Sequence, residues 1–264
     1  MVLKRTFVLI FDLTISWSQL VSNQKTKKRV NLCYTKKEKS DVEGKKGKYV
    51  KKQIIQLPEL PHQLTPETFA DVEIDDPYLY QTLYEKETLP VELTERLDVN
   101  QVCFRNVSFA GLVFERASFE NVRFEQCDFT GCQFQDSRFH RVIFEECRLT
   151  GIHFESNTVD HVTIKNCQAN YAQIIRTALR HVAVEQTTMR ESHFFEMKPT
   201  DFRLHEVDLS ESQWVETALK GLDLRHVDLS GITIDPRFLP GAVVTESQAI
   251  TFARLLGLVI PSHD

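Results

Sequence analysis

The chain has 264 residues, 42% hydrophobic and 10% aromatic, with a formal net charge of −5, the composition of an ordinary globular protein of one or two domains. That charge sums a basic leader, residues 1–52 at plus 10, and an acidic body, residues 53–264 at minus 15. No run of about 18 apolar residues is present for a spanning helix, and no Cys-x-x-Cys, Gly-x-Gly-x-x-Gly, Walker or His-Glu-x-x-His motif occurs, which excludes the usual sequence routes to nucleotide and zinc chemistry.

Lys4 and Arg5 precede a short apolar stretch, Thr6 to Ile10, in the manner of a secretory signal. Asp12 interrupts it and no small-x-small cleavage site follows, so a signal peptide is not expected. Lys25 to Lys52 holds 12 basic and 3 acidic residues with few large apolar side chains, and such a tract is expected to be disordered. It has two readings. One is an arm for nucleic acid or an anionic membrane. The other is that residues 1–49 are not native: Glu43-Gly-Lys-Lys-Gly-Lys48 reads as a purine-rich ribosome-binding site translated in frame, with Val50 as the start.

Residues 53–101 hold 11 acidic and 2 basic residues and are cut by Pro58, Pro61, Pro66, Pro77 and Pro90. They are expected to form an acidic N-terminal cap of short elements, with Tyr78, Leu79, Leu83 and Tyr84 on one helical face.

From Phe104 to Leu239 every fifth residue is large and apolar with few exceptions: of 28 positions, eleven are Phe, eight Leu, three Ile and two Val. Two residues before each centre the side chain is small or β-branched, as at Val102, Val107, Ala117, Val122, Cys127 and Cys132. A period of two puts both on one side of an extended segment, and a two-residue corner must then reset the parity. A corner with positive φ favours Gly or Asn. Gly111, Gly131, Gly151, Gly221, Gly231 and Gly241 all fall there, with Asn106, Asn121 and Asn166. Val at 102, 122, 142, 162 and 182 and Cys at 127, 147 and 167 show a superperiod of 20 residues. Four five-residue units therefore close one coil. The 28 units make about seven coils, a rod on the order of 34 Å long, with Met197-Lys-Pro-Thr-Asp201 expected to bulge.

A solenoid needs caps. Thr245 and Gln248 fit a capping box, for a helix running to about Leu256 and stopping at Gly257, with Leu258 to Ile260 extending as a strand. Ile250, Phe252, Leu255 and Leu256 make this helix more apolar than a lid requires, so it is expected to serve both as lid and as dimer interface.

Units such as Cys127-Asp-Phe-Thr-Gly131 and Val227-Asp-Leu-Ser-Gly231 resemble the pentapeptide-repeat family over about residues 102–241, and most of all its quinolone-resistance branch, the Qnr and MfpA type. The resemblance implies an all-β solenoid, a right-handed quadrilateral parallel β-helix with a short C-terminal α-helix. It also implies a non-catalytic homodimer, joined through that helix, which imitates DNA, binds DNA gyrase or topoisomerase IV and protects against quinolones.

Counted face by face, the coils are acidic on the faces centred on Phe109 and Phe114, which carry minus 7 between them. The expected partner-binding residues are Glu115, Asp128, Asp136, Glu155, Asp208, Glu211, Glu216 and Asp228; Glu191, Glu196 and Asp235 share those faces. Phe104, Phe109, Phe114, Phe119, Phe124, Phe129, Phe134, Phe139, Phe144 and Phe154 are the expected core. The cysteine column reads as small core residues rather than a soft-metal site, which points to a reducing, cytoplasmic setting. His140, His161 and His181, with Arg138, Arg141, Arg180, Lys198 and Lys220, read as a solvated basic stripe. No catalytic residue, cofactor, metal or membrane association is expected, nor nucleic-acid binding by the folded body. The alternative is a structural scaffold or interaction module with an unrelated protein partner, since fold alone does not choose.

Overall fold

The structure, a computed structural model, describes residues 54–261. Every described residue belongs to the unit Lys51–Asp264. The leader at residues 1–52, with both of its readings, and Cys33 lie outside the described residues.

Strands pair in parallel at an offset of twenty residues, Phe114 on Phe134 and Phe124 on Phe144. The fold is a parallel β-solenoid of about eight turns closed by one short helix. That is one turn more than the Phe register counts. The extra turn is centred on Leu79, Tyr84, Leu89 and Thr94, with Val99 one unit beyond it, and its strands Tyr78–Tyr80 and Thr82–Glu85 pair with Asp98–Asn100 and Cys103–Arg105. No helix carries Tyr78, Leu79, Leu83 and Tyr84. Tyr78 is exposed and Leu79 buried, the alternation of a strand, and the chain turns a corner at Gln81 and again at Lys86 with positive φ.

Positive φ recurs two residues after nearly every centre. Among the described residues 24 non-glycine positions adopt it, with φ from 47° to 61°. A side chain in this region costs roughly 1–2 kcal/mol. Hydrogen bonds to the next coil offset it: Arg116 N–H donates to Gln135 O and Gln126 N–H to Glu145 O, both at 2.9 Å. The corner is thus imposed by the ladder, and Gly is not required for it. Two faces run together through this corner into single strands, Ser118–Glu125, Arg138–Glu145 and Thr158–Lys165, which lengthen to Ala178–Thr188 and Lys198–Asp208. A second sheet forms the face centred on Phe114.

The interior is a set of ring stacks. Phe104, Phe124 and Phe144 stack at 5.1 and 4.9 Å, Phe109 on Phe129 at 4.5 Å, Phe114 on Phe134 at 4.9 Å and Phe119 on Phe139 at 5.0 Å. Neighbouring columns meet edge to face, as Phe134 does with Phe139. Nine of the ten expected core phenylalanines are fully buried, and Phe154 is partly buried against the same core. Polar groups inside are paired along the axis: Ala117 N–H donates to Ser137 Oγ, Ser137 N–H to Asn157 Oδ1, and Met197 N–H to Thr217 Oγ1, which removes the penalty of burying them. Cys127, Cys147 and Cys167 form a second column that continues into Thr187. Cys127, Cys147 and Cys167 donate to the carbonyls of Phe104, Phe124 and Phe144. Burial raises the Cys103 thiol to about 12 and raises Cys147 too, so these groups stay protonated.

At the N-terminal end Phe69 stacks on Tyr84 at 4.4 Å. At the other end the helix α1, Glu246–Leu255, starts from the expected capping box at Thr245 and Gln248. Gln248 Nε2 also donates to Leu224 O and Val227 O, closing the last coil's edge. Gly257 and Leu258 N–H groups return to Arg254 O and Ala253 O, a Schellman ending. Two expectations fail. Leu258 to Ile260 forms no strand, because the last coil's edge is already occupied by α1. Nor does Met197 to Asp201 bulge: Pro199 sits opposite Leu179 in register. On its other side strand Lys198–Asp208 is paired only at Val207 and Asp208, so the missing proline N–H breaks no ladder.

Candidate partner-binding faces

The eight acidic residues lie on two adjacent faces, in different states of engagement. Asp128, Asp208 and Asp228 each precede a centre and bend back onto the corner, accepting from the backbone N–H of Thr130, Ser210 and Ser230 at 2.9 to 3.0 Å. They are turn-forming carboxylates. The Ser230 hydroxyl and amide hold the Asp228 carboxyl below its ordinary value. Ion pairs take up others: Asp128 with Arg148, Glu155 with Arg176, and Asp208 and Glu211 with Arg190. Glu115, Asp136 and Glu216 are exposed and make no ion pair among the described residues.

Counting by face hides a second arrangement. Six successive left-handed corners carry carboxylates: Glu191, Glu196, Asp201, Glu206, Glu211 and Glu216. They form a collar of one and a half turns. Asp201 and Glu206 stand on the other two faces, so a face-by-face sum separates them from the rest. The signal that finds them is a carboxylate at every fifth residue. Arg203 partners Asp201, and Gln186 donates to Glu206.

The apolar residues of α1 divide by exposure. Phe252 is buried in the core and seals the last coil. It is therefore not available to a second chain. Ile250, Leu255 and Leu256 are 42, 43 and 61% exposed.

The basic stripe is solvated only in part: Arg138, Arg180, Lys198 and Lys220 are exposed as expected, whereas His140, Arg141, His161 and His181 are covered. Residues 54–61 lie along the corner column of Gln101, Asn121, Arg141 and His161. Gln56 N–H donates to His161 Nδ1 at 3.1 Å, Arg141 Nε to Gln56 Oε1 at 3.0 Å, Glu59 N–H to Asn121 Oδ1 at 3.1 Å and Gln101 Nε2 to Glu59 O at 3.1 Å. His161 is left 9% exposed and stacks on His181 at 4.5 Å. Burial, then the Arg141 charge, lowers the His140 pKa. Asp160 receives His181 at 2.9 Å and Arg180 at 3.3 Å. Burial pushes its carboxyl up, but the His181 hydrogen bond and Arg180 outweigh this and hold it low.

A profile for the pentapeptide repeat region matches residues 137–214, and one for pentapeptide repeats in nine copies matches residues 100–148. Comparison with curated proteins gives no match. Among solved structures the chain is similar to QnrB1, a plasmid-mediated fluoroquinolone resistance protein, at 18% identity over 69% of this chain and 100% of that one, with a TM-score of 0.30. It is also similar to HetL, involved in heterocyst differentiation regulation in the cyanobacterium Nostoc, at 13% identity over 64% and 87%, with a TM-score of 0.25. A third is a thylakoid lumen protein of Arabidopsis thaliana, at 13% identity over 56% and 71%, with a TM-score of 0.16. Likenesses of this degree bear on neither partner nor activity. A twenty-residue parallel register built from Phe- and Leu-centred fives, matched by two profiles of the same repeat, makes residues 100–214 a pentapeptide-repeat region.

Proposed function

We propose that the protein acts without catalysis, by binding a basic, DNA-binding protein through its carboxylates. The collar of six acidic corners from Glu191 to Glu216 carries this reading. Its backbone is held by the ladder, so the charges are presented at fixed spacing, which favours encounter rate and choice of partner. The finer reading is a DNA mimic for DNA gyrase or topoisomerase IV that relieves quinolone inhibition. The family resemblance suggests that partner, and the acidic corners give it a physical basis.

The test is gyrase supercoiling in the presence of a quinolone, with and without purified protein. Protection is expected. Protein that neither binds gyrase nor restores supercoiling refutes the gyrase reading. Charge reversal at Asp136, Glu211 and Glu216 is expected to abolish the effect without unfolding the chain, since these three cap no corner with their side chains. Reversal at Asp128 or Asp208 would confuse binding with stability. A scaffold with an unrelated partner is favoured by the engagement of Asp128, Glu155 and Asp208 in internal pairs, and in that case the reversals leave binding intact.

The exposed Ile250, Leu255 and Leu256 further suggest a homodimer through α1; a sedimentation experiment at micromolar concentration that finds only monomer refutes it. Five free, buried cysteines among the described residues fit a reducing, cytoplasmic setting. No helix among the described residues is long and apolar enough to cross a membrane.

A further inference from the structure

We propose that Asp160, His161 and His181, with His140 as a fourth donor, form a site for a divalent transition-metal ion of the zinc class, and that filling it unseats Gln56 from His161.

The register brings the donors together. His140 and Asp160 are ladder partners one coil apart, as are Asp160 and Arg180. His161 and His181 occupy the adjacent left-handed corner column. Three successive coils therefore contribute to one spot. Asp160 Oδ1 lies 2.9 Å from His181 Nδ1 and 4.0 Å from His161 Nε2, and Asp160 Oδ2 lies 4.0 Å from His140 Nδ1. One donor atom from each of Asp160, His161 and His181 lies within 4.8 Å of the others. In a triangle with these sides the centre is about 2.4 Å from each corner, against metal bonds of about 2.0–2.2 Å, so closure needs shifts of a few tenths of an ångström.

Burial and chemistry add to the geometry. Side chains of His140, His181 and Asp160 are about four-fifths buried, unlike those of an ordinary surface cluster. His140 Nδ1 is buried with no hydrogen-bond partner among the described residues. Three imidazoles and one carboxylate suit Zn²⁺ and its neighbours better than Ca²⁺ or Mg²⁺. The ion takes the place of the hydrogen between His181 Nδ1 and Asp160 Oδ1, and the neutral ring then carries its proton on Nε2. Arg180 opposes the ion on Asp160 Oδ2, but its side chain is half exposed and has room to turn away. The stacked rings of His161 and His181, 11° apart, must splay.

The coupling to Gln56 follows from tautomers. A backbone N–H donating to His161 Nδ1 leaves the neutral ring's proton on Nε2, which faces Asp160. A metal on Nε2 moves that proton to Nδ1, where it meets another donor. Metal and the docked Gln56 therefore exclude each other.

The experiment uses the tag-free full chain carrying Cys33→Ser, titrated with Co²⁺ by absorption and with Zn²⁺ by calorimetry. One ion per chain is expected. His181→Ala and Asp160→Asn should weaken binding by about tenfold or more, while His205→Ala, in the separate His205–His226 pair, should leave it unchanged. Absence of binding, or binding indifferent to His181→Ala, overturns the site. Hydrogen exchange on the same Cys33→Ser chain requires no site variant: Zn²⁺ should speed exchange at Gln56 relative to Leu224, and bound metal with unchanged exchange there overturns the coupling.

Discussion

The early and late coils are built on one register from different materials. Between Phe104 and Phe154 ten of eleven centres are Phe; between Val159 and Leu239 only Phe194 is, among seventeen. The early half holds itself together with stacked rings, which add about 0.5–1.5 kcal/mol per pair beyond area burial. The late half uses Leu, Ile, Val and Ala centres, and it is there that every corner from Glu191 to Glu216 is acidic. Interior and corner thus vary independently, because the ladder fixes the backbone for both. Ring stacking is concentrated toward one end and the unbroken run of acidic corners toward the other.

Substitution can break that contrast. Phe134→Ala removes a ring stacked on Phe114 and Phe154 and is expected to cost about 3–5 kcal/mol in urea unfolding. Leu219→Ala in the late half, equally buried, is expected to cost less; equal losses would erase the difference between the halves. Ser137→Ala leaves the Ala117 N–H unpaired and should cost about 1–3 kcal/mol. A neutral result there would mean that the polar column does not matter to either half. Gly131→Ala has nothing within 4 Å of the new Cβ at φ +66°, so it isolates the backbone cost of a corner, about 1–2 kcal/mol.

The smallest effect expected is that of Asp228→Asn. The folded state holds the Asp228 carboxyl below its ordinary 3.8, so it binds fewer protons than the unfolded chain as acid is added. Its contribution is present above pH 3.8 and is lost as pH falls through the lowered value. Parent and variant should therefore differ in thermal unfolding at neutral pH and converge in acid. Divergence in acid would reverse the sign.

The repeat was readable because a Phe at every fifth place leaves a mark that no other fold requires. The first turn was hidden for the opposite reason. Leu79, Tyr84, Leu89 and Thr94 share the register, but no Gly marks the corners at Gln81, Lys86 and Arg96, and the prolines suggested interruption. Corners were only partly legible, since the inter-coil hydrogen bonds, not residue preference, impose positive φ on Arg, Gln, Glu and His alike. Gln56 on His161 joins positions 105 apart in sequence, and no local pattern foretells such a contact. His140, His161 and His181 were legible as one stripe, but their meeting with Asp160 was not, because ring direction depends on what covers the corner.

The offset of twenty residues between paired strands also sets the rules for insertion and deletion. Removing one complete coil shortens the stack and leaves every remaining side chain facing as before. Removing a single five-residue unit rotates everything downstream by a quarter turn about the axis, carrying the acidic columns to a different compass bearing while the interior still fits. Orientation of the binding faces is therefore written in the length of the chain between them, and a five-residue deletion is a means of turning one end against the other.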